Sequence, residues 1–164
     1  MGQVQNKEQA NDESSFIQDI STKHILDMFM HKKLRDAGYR AFQSINEHEH
    51  ILNALLERST EVEHIFRKES DVQFDNFDLL AISQTFLFGV LNEIIQNSEH
   101  TWGTVYAIFA FTGMLFDHLV EKRRINSMYA VVDNINNFMS VKKLNTWIDE
   151  KGGWKMFPAN SIKK

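Results

Sequence analysis

The chain has 164 residues, of which 43% are hydrophobic, and this length fits one domain around one core. It contains one proline and seven glycines, too few turn residues for a β-sandwich, so the composition predicts an all-helical protein. The absence of cysteine excludes disulfides and zinc–thiolate sites. A net charge of −4 without a long basic run argues against nucleic-acid binding.

Hydrophobic periodicity predicts six or more helices after a polar beginning. We expect residues 1–15 to be a disordered lead and residues 16–160 to form a single domain. Gly38 and the pair Gly152-Gly153 are placed to end helices. The predicted helices cover residues 16–36, 46–68, 77–96, 102–120 and 125–141, and a short last helix contains Leu144, Trp147 and Ile148.

The helix over residues 102–120 is the most apolar and is close to the length that spans a membrane. Polar residues interrupt it at Thr104, Thr112, Asp117 and His118. We therefore expect a central helix that amphipathic neighbours cover on all sides, not a membrane span.

Patterns that would indicate catalysis or metal binding are weak. The histidines of His48-Glu49-His50 are two residues apart and point in opposite directions on a helix. His24 and His31 share a face, but no third ligand joins them at a convincing spacing. The sequence has no glycine-rich phosphate loop and no nucleophile motif. We predict no enzyme activity, no metal and no cofactor.

Two segments together resemble the homology motifs of the Bcl-2 family. Residues 147–157, WIDEKGGWKMF, resemble the second motif, and residues 101–113, TWGTVYAIFAFTG, resemble the first. Residues 33–39, KLRDAGY, look like the end of the fourth motif. Residues 54–63 look like the third motif, with Ser59 and Thr60 in place of its Gly-Asp. The resemblance implies a Bcl-2-like helical bundle with a central apolar hairpin.

The resemblance also implies a hydrophobic groove that receives the amphipathic death-motif helix (Bcl-2 homology 3) of a partner. Trp102, Trp147, Gly152, Gly153 and Trp154 would be structural, whereas core and contact roles stay equally open for Val62, Phe66 and Phe111. The groove residues implied by position are Val62, Phe66, Val90, Glu93, Ile94, Thr101, Gly103, Thr104, Ala107 and Phe111.

One departure from the family pattern bears on the function. The arginine of the first motif, which pairs with a partner aspartate, is Thr104 here. A hydroxyl offers a hydrogen bond without charge, so we expect binding that is weaker or more selective. Arg58 or Arg67 from the facing helix would be substitutes.

The function that the resemblance implies is survival-promoting: an anti-apoptotic protein, of viral origin, that sequesters the death-motif helices of pro-apoptotic relatives. The alternatives are a pore-forming killer and a viral modulator of innate immune signalling with the same fold. The expected location is intracellular, in the cytoplasm or at the mitochondrial outer membrane. Residues 161–164 include no anchor, so membrane association would need a tail absent from this sequence. The connection between the first two predicted helices is short, which also predicts a homodimer formed by exchange of the first helix.

Overall fold

The structure, a computed structural model, describes residues 20–39, 48–69, 83–96 and 99–157. Within these ranges it is all-helical, as predicted. Six α-helices are followed by a 3-10 turn at Trp154–Met156. The helices are α1 (Thr22–Asp36), α2 (Glu49–Glu69), α3 (Gln84–Ile95), α4 (Trp102–Glu121), α5 (Ile125–Val141) and α6 (Leu144–Glu150).

The predicted starts of two helices were wrong, and serine caps are the reason. Ser21 has an extended backbone, and its side chain accepts a hydrogen bond from the His24 amide at 3.1 Å, so α1 begins after it and not at residue 16. Ser83 caps α3 in the same way through the Phe86 amide, which moves that start from residue 77 to Gln84. Residues 16–19 and 77–82, like the predicted disordered lead at 1–15, lie outside the described residues.

Helix α4 is the centre of the bundle. It contacts α1, α2, α3 and α5, and fifteen of its twenty residues are buried. Within the described part of the chain it is long and apolar enough to cross a membrane. However, 72% of its apolar window is covered by the rest of the protein. The prediction of a central helix over this segment is confirmed.

Close packing of α1 on α4 depends on one glycine. A Cβ atom at Gly113 would lie 3.1 Å from the ring of Phe29, closer than most packed side chains allow. The same ring packs edge-on against Phe109 at a centroid distance of 5.4 Å. The backbone of α4 therefore supplies the room that the Phe29 ring fills.

An aromatic cluster joins the end of the chain to the start of α4. The Trp102 ring lies 5.1 Å from Trp147, 5.8 Å from Trp154 and 4.9 Å from Phe157, measured between centroids. The buried indole nitrogen Nε1 of Trp154 donates to Oγ1 of Thr22 at 3.0 Å, which ties this cluster to the first turn of α1. These contacts hold the start of α4 in place.

The end of α6 is a Schellman motif that directs Trp154 into this cluster. The Gly153 amide donates to the Ile148 carbonyl at 2.9 Å, and the Gly152 amide donates to the Asp149 carbonyl at 3.1 Å. Gly152 and Gly153 have φ of +99° and +79°, which explains the glycine pair in the motif.

Candidate helix-binding groove

The first turn of α4 is built around two threonines. Thr101 has an extended backbone, and its Oγ1 accepts a hydrogen bond from the Thr104 amide at 3.2 Å. The Thr104 hydroxyl donates to the Glu99 carbonyl at 2.9 Å, across the turn that precedes the helix. These bonds fix the connection from α3 to α4 against the start of α4.

A pocket of about 480 Å³ lies between the end of α3 and the start of α4. Gly103 leaves part of it open, because a Cβ atom there would have one described neighbour within 4 Å, Thr101 Oγ1 at 3.4 Å. No neighbouring helix of the described residues packs on Gly103, so its missing side chain leaves space in the pocket. The described lining residues are Ile94, Ile95, Glu99, Thr101, Gly103, Thr104 and Ala107.

Five of the ten predicted groove residues come together in this pocket: Ile94, Thr101, Gly103, Thr104 and Ala107. Val90 and Glu93 lie on α3 but not in the lining. Val90 is partly buried against the core, and Glu93 is exposed. The structure therefore brings together the α3–α4 part of the predicted groove.

The residues predicted from α2 and the interior of α4 lie elsewhere. Val62 packs against the core while partly exposed, Phe66 is half-buried, and neither lines the pocket. Phe111 is 2% exposed, so its ring belongs to the core in this conformation and offers no contact surface. Of the two roles left open for Phe111, the structure shows the core role.

Two lining residues, Ile95 and Glu99, were missed by the sequence reasoning. Ile95 reads as one more apolar residue at the end of α3 and is 9% exposed. Glu99 lies in the short connection to α4, where no periodicity indicates which way a side chain points. Its position two residues before the cap Thr101 was the feature of the sequence that could have indicated a place beside the start of α4.

The two arginines proposed as substitutes for the family arginine do not line the pocket. Arg67 donates to Glu63 at 2.8 Å through Nη2 and at 3.1 Å through Nε, and Nη2 lies 3.8 Å from Asp117 on α4. Arg58 lies 3.9 Å from Glu61 on its own helix. Neither arginine lines the pocket in this conformation, so the substitution by Arg58 or Arg67 stays a prediction.

Asp117 is the centre of an ion-pair network away from the pocket. Its Oδ2 accepts from Lys33 Nζ at 3.2 Å, so the network joins α1, α2 and α4. Burial raises the pKa of Asp117, and the nearby Lys33 offsets only part of that rise.

The histidines singled out in the sequence take part in helix contacts. The His24 and His48 rings meet edge-on at 5.7 Å, next to the starts of α1 and α2. His31 is buried, and its Nδ1 lies 2.7 Å from the Asp27 carbonyl. In the described segments, no three histidine, aspartate or glutamate side chains are grouped so that they could hold a metal ion.

Comparisons with known proteins agree with this fold. The family profile for apoptosis regulator proteins of the Bcl-2 family matches residues 55–154, which include α3, α4, α5 and α6. The chain is 28% identical to Apoptosis regulator R11 of Xenopus laevis over 121 residues, 73% of this chain and 58% of that protein. It is 35% identical to Bcl-2-like protein 1 of Sus scrofa over 71 residues, 42% of this chain and 28% of that protein.

The chain belongs to the Bcl-2 family of apoptosis regulators. It matches 58% and 28% of the lengths of these two curated relatives. Both relatives are vertebrate proteins, so they give no support to the predicted viral origin.

Proposed function

We propose that this protein promotes cell survival by binding the amphipathic death-motif helix of pro-apoptotic partners in the groove between α3 and α4. The observation that carries the proposal is the pocket at Gly103, which gathers five residues that the family resemblance assigns to the groove. Its wall combines the apolar residues Ile94, Ile95 and Ala107 with the polar residues Glu99, Thr101 and Thr104. This is the arrangement that helix-in-groove recognition uses.

The energetics suit an apolar anchor. Each large apolar side chain that a partner buries contributes about 1.5–3 kcal/mol. The aromatic cluster and the hydrogen bond from Trp154 to Thr22 hold the start of α4, so the pocket wall is formed before binding. A preformed wall reduces the ordering cost that binding must offset.

The packing of α2 favours this role over pore formation. A killer of this fold would present its own third motif, which includes Leu55 and Ser59. Leu55 is 0% exposed, and Ser59 is also buried. The Ser59 hydroxyl donates a hydrogen bond to the Leu56 carbonyl at 3.3 Å. Presenting this helix to another molecule would require unpacking the core.

The test is a binding titration with a labelled death-motif peptide. The Gly103→Leu variant fills the pocket without strain from a positive φ, and we expect it to weaken binding at least tenfold. Asn137→Leu, which adds the same side chain on the exposed face of α5, is the control and should bind as the parent does. Unchanged affinity in Gly103→Leu, with the fold intact by circular dichroism, would contradict the proposal. Release of vesicle contents by the protein alone would favour the pore-forming alternative.

The proposal places the protein inside the cell, in the cytoplasm or at the mitochondrial outer membrane, where such partners act. Exchange of α1 between two chains, which would give a homodimer, is a separate proposal. Light scattering across a concentration series tests it, and a constant monomer mass would refute it.

A further inference from the structure

The described lining of the pocket includes an acidic residue and lacks the arginine that the family pattern has at the position of Thr104. Among the described residues that line it, Glu99 is the charged one. Glu99 is exposed, lines the pocket and precedes the cap Thr101 by two residues, near the start of α4. Glu93, also exposed, lies on the neighbouring helix next to the lining residue Ile94. A helix bound in the groove would meet an acidic rim at this end.

The hydroxyl that replaces the family arginine is already used as a donor. Thr104 is 7% exposed, and its hydroxyl proton is donated to the Glu99 carbonyl at 2.9 Å. Its Oγ1 also lies 3.3 Å from Thr101 Oγ1. A hydroxyl has one proton to donate, so Thr104 has none for an incoming carboxylate. The same bond fixes the backbone of Glu99 beside the pocket.

Both arginines of the facing helix have acidic neighbours of their own. Arg67 is held by Glu63 and Asp117, and Arg58 lies beside Glu61. The start of α4 does contribute a partial positive charge of about half an elementary charge. One of its amides, that of Thr104, is already capped by Thr101, and Glu99 carries a full negative charge. His100 is exposed and does not line the pocket.

We infer that, among death-motif helices, this groove prefers one that carries lysine or arginine over one that carries aspartate at the position facing the start of α4. The inference rests on the proposed function and specifies the chemistry of its partner. A basic side chain would pair with Glu99 at the rim, whereas an aspartate would be placed near a like charge without a donor. Like charges at an interface suppress the wrong partner, and opposite charges fix the register.

The test uses three peptides that share one death-motif sequence and differ at this position, which is Asp, Asn or Lys. The Lys peptide should bind the parent protein about tenfold more tightly than the Asp peptide at low salt. The preference should fall in 0.5 M salt, because screening weakens exposed charges. It should largely disappear in the Glu99→Gln variant and remain in Glu150→Gln, which removes an exposed acidic group on α6.

The outcomes separate this inference from the function on which it rests. Tighter binding of the Asp peptide, or a Lys preference unchanged in Glu99→Gln, would overturn the charge preference and leave the groove function standing. Failure of all three peptides to bind would overturn the groove function and this inference together.

Discussion

At the scale of single residues, Gly152 shows how a motif glycine shapes the fold around the groove. Its φ is +99°, and a Cβ atom there would lie 2.6 Å from Cγ of Met156 in the turn that carries Trp154. The aromatic cluster that supports the start of α4 therefore depends on a backbone conformation that favours glycine.

Gly152→Ala should lower the free energy of unfolding by about 1–3 kcal/mol, from the positive φ and the clash with Met156. Urea denaturation followed by tryptophan fluorescence measures this. Gly89→Ala is the matched control, because Gly89 lies inside α3 with nothing within 4 Å of its Cβ position. The control should gain up to about 1 kcal/mol from helix propensity. An equal effect of both changes would show that the turn at Gly152 is not strained by a side chain.

Thr104 is the residue whose replacement should change partner affinity most directly. Thr104→Arg restores the family cation and should tighten binding of peptides that carry the aspartate by about 1–3 kcal/mol. Isothermal titration with a panel of death-motif peptides measures the change. If the affinity for every peptide stays as in the parent, the absence of the family arginine has no role in selectivity.

At the scale of elements, α4 ends in a conformation that its sequence does not favour. Arg123 has φ of +58°, and the Arg124 amide donates to the Leu119 carbonyl at 2.8 Å, so this is a Schellman end without glycine. At the end of α6 a glycine takes the positive φ, whereas here an arginine does, so Arg123 is a site of backbone strain.

Arg123→Gly should raise the free energy of unfolding by about 1 kcal/mol, because glycine adopts a positive φ without steric cost. Thermal and urea denaturation measure the gain. Lys122→Gly is the control. The φ of Lys122 is −83°, so this variant relieves no strain, and its glycine raises the conformational entropy of the unfolded chain, which lowers stability. A loss of stability in Arg123→Gly would mean that the arginine side chain contributes more than the strain costs.

The ion-pair network of Asp117 gives the junction of α1, α2 and α4 a predicted pH dependence. Burial raises its folded-state pKa above the ordinary value of 3.8, so the folded state retains the proton to higher pH than the unfolded chain. The contribution of this group to stability therefore falls as pH rises through that window.

The parent should lose stability relative to Asp117→Asn as pH rises above about 4, the ordinary pKa of an aspartate. Urea unfolding at several pH values measures the difference. Asp149→Asn, which removes an exposed carboxylate on α6, is the control for the loss of one charge. A difference that grows in favour of the parent as pH rises would show that Lys33 and Arg67 outweigh burial.

Hydrophobic periodicity predicted the helices themselves, whereas local hydrogen bonds determine where two of them begin. The long apolar run of α4 and the stripe of α5 were predicted because an apolar face must be buried. The starts of α1 and α3 were missed because Ser21 and Ser83 cap these helices through a local hydrogen bond that apolar periodicity does not indicate.

At the scale of the whole molecule, the candidate site was half predictable. Five residues that the motif resemblance assigns to a groove line one pocket, because neighbouring residues on capped helices keep fixed directions; their role in binding stays a prediction. The resemblance could not place Val62, Phe66 or the Glu99 side chain, since those depend on how separate helices and a short connection pack together. Glu99 is the residue that gives this groove its charge.

We propose that a partner helix binds at the start of α4. Amide chemical shifts of the isotope-labelled protein, followed during titration with a death-motif peptide, test this binding site residue by residue. We expect saturable shifts concentrated at Ile94, Ile95, Thr101, Gly103 and Ala107, with smaller changes at α5. Shifts confined to other surfaces, or no shifts at peptide concentrations well above those of the protein, would contradict it.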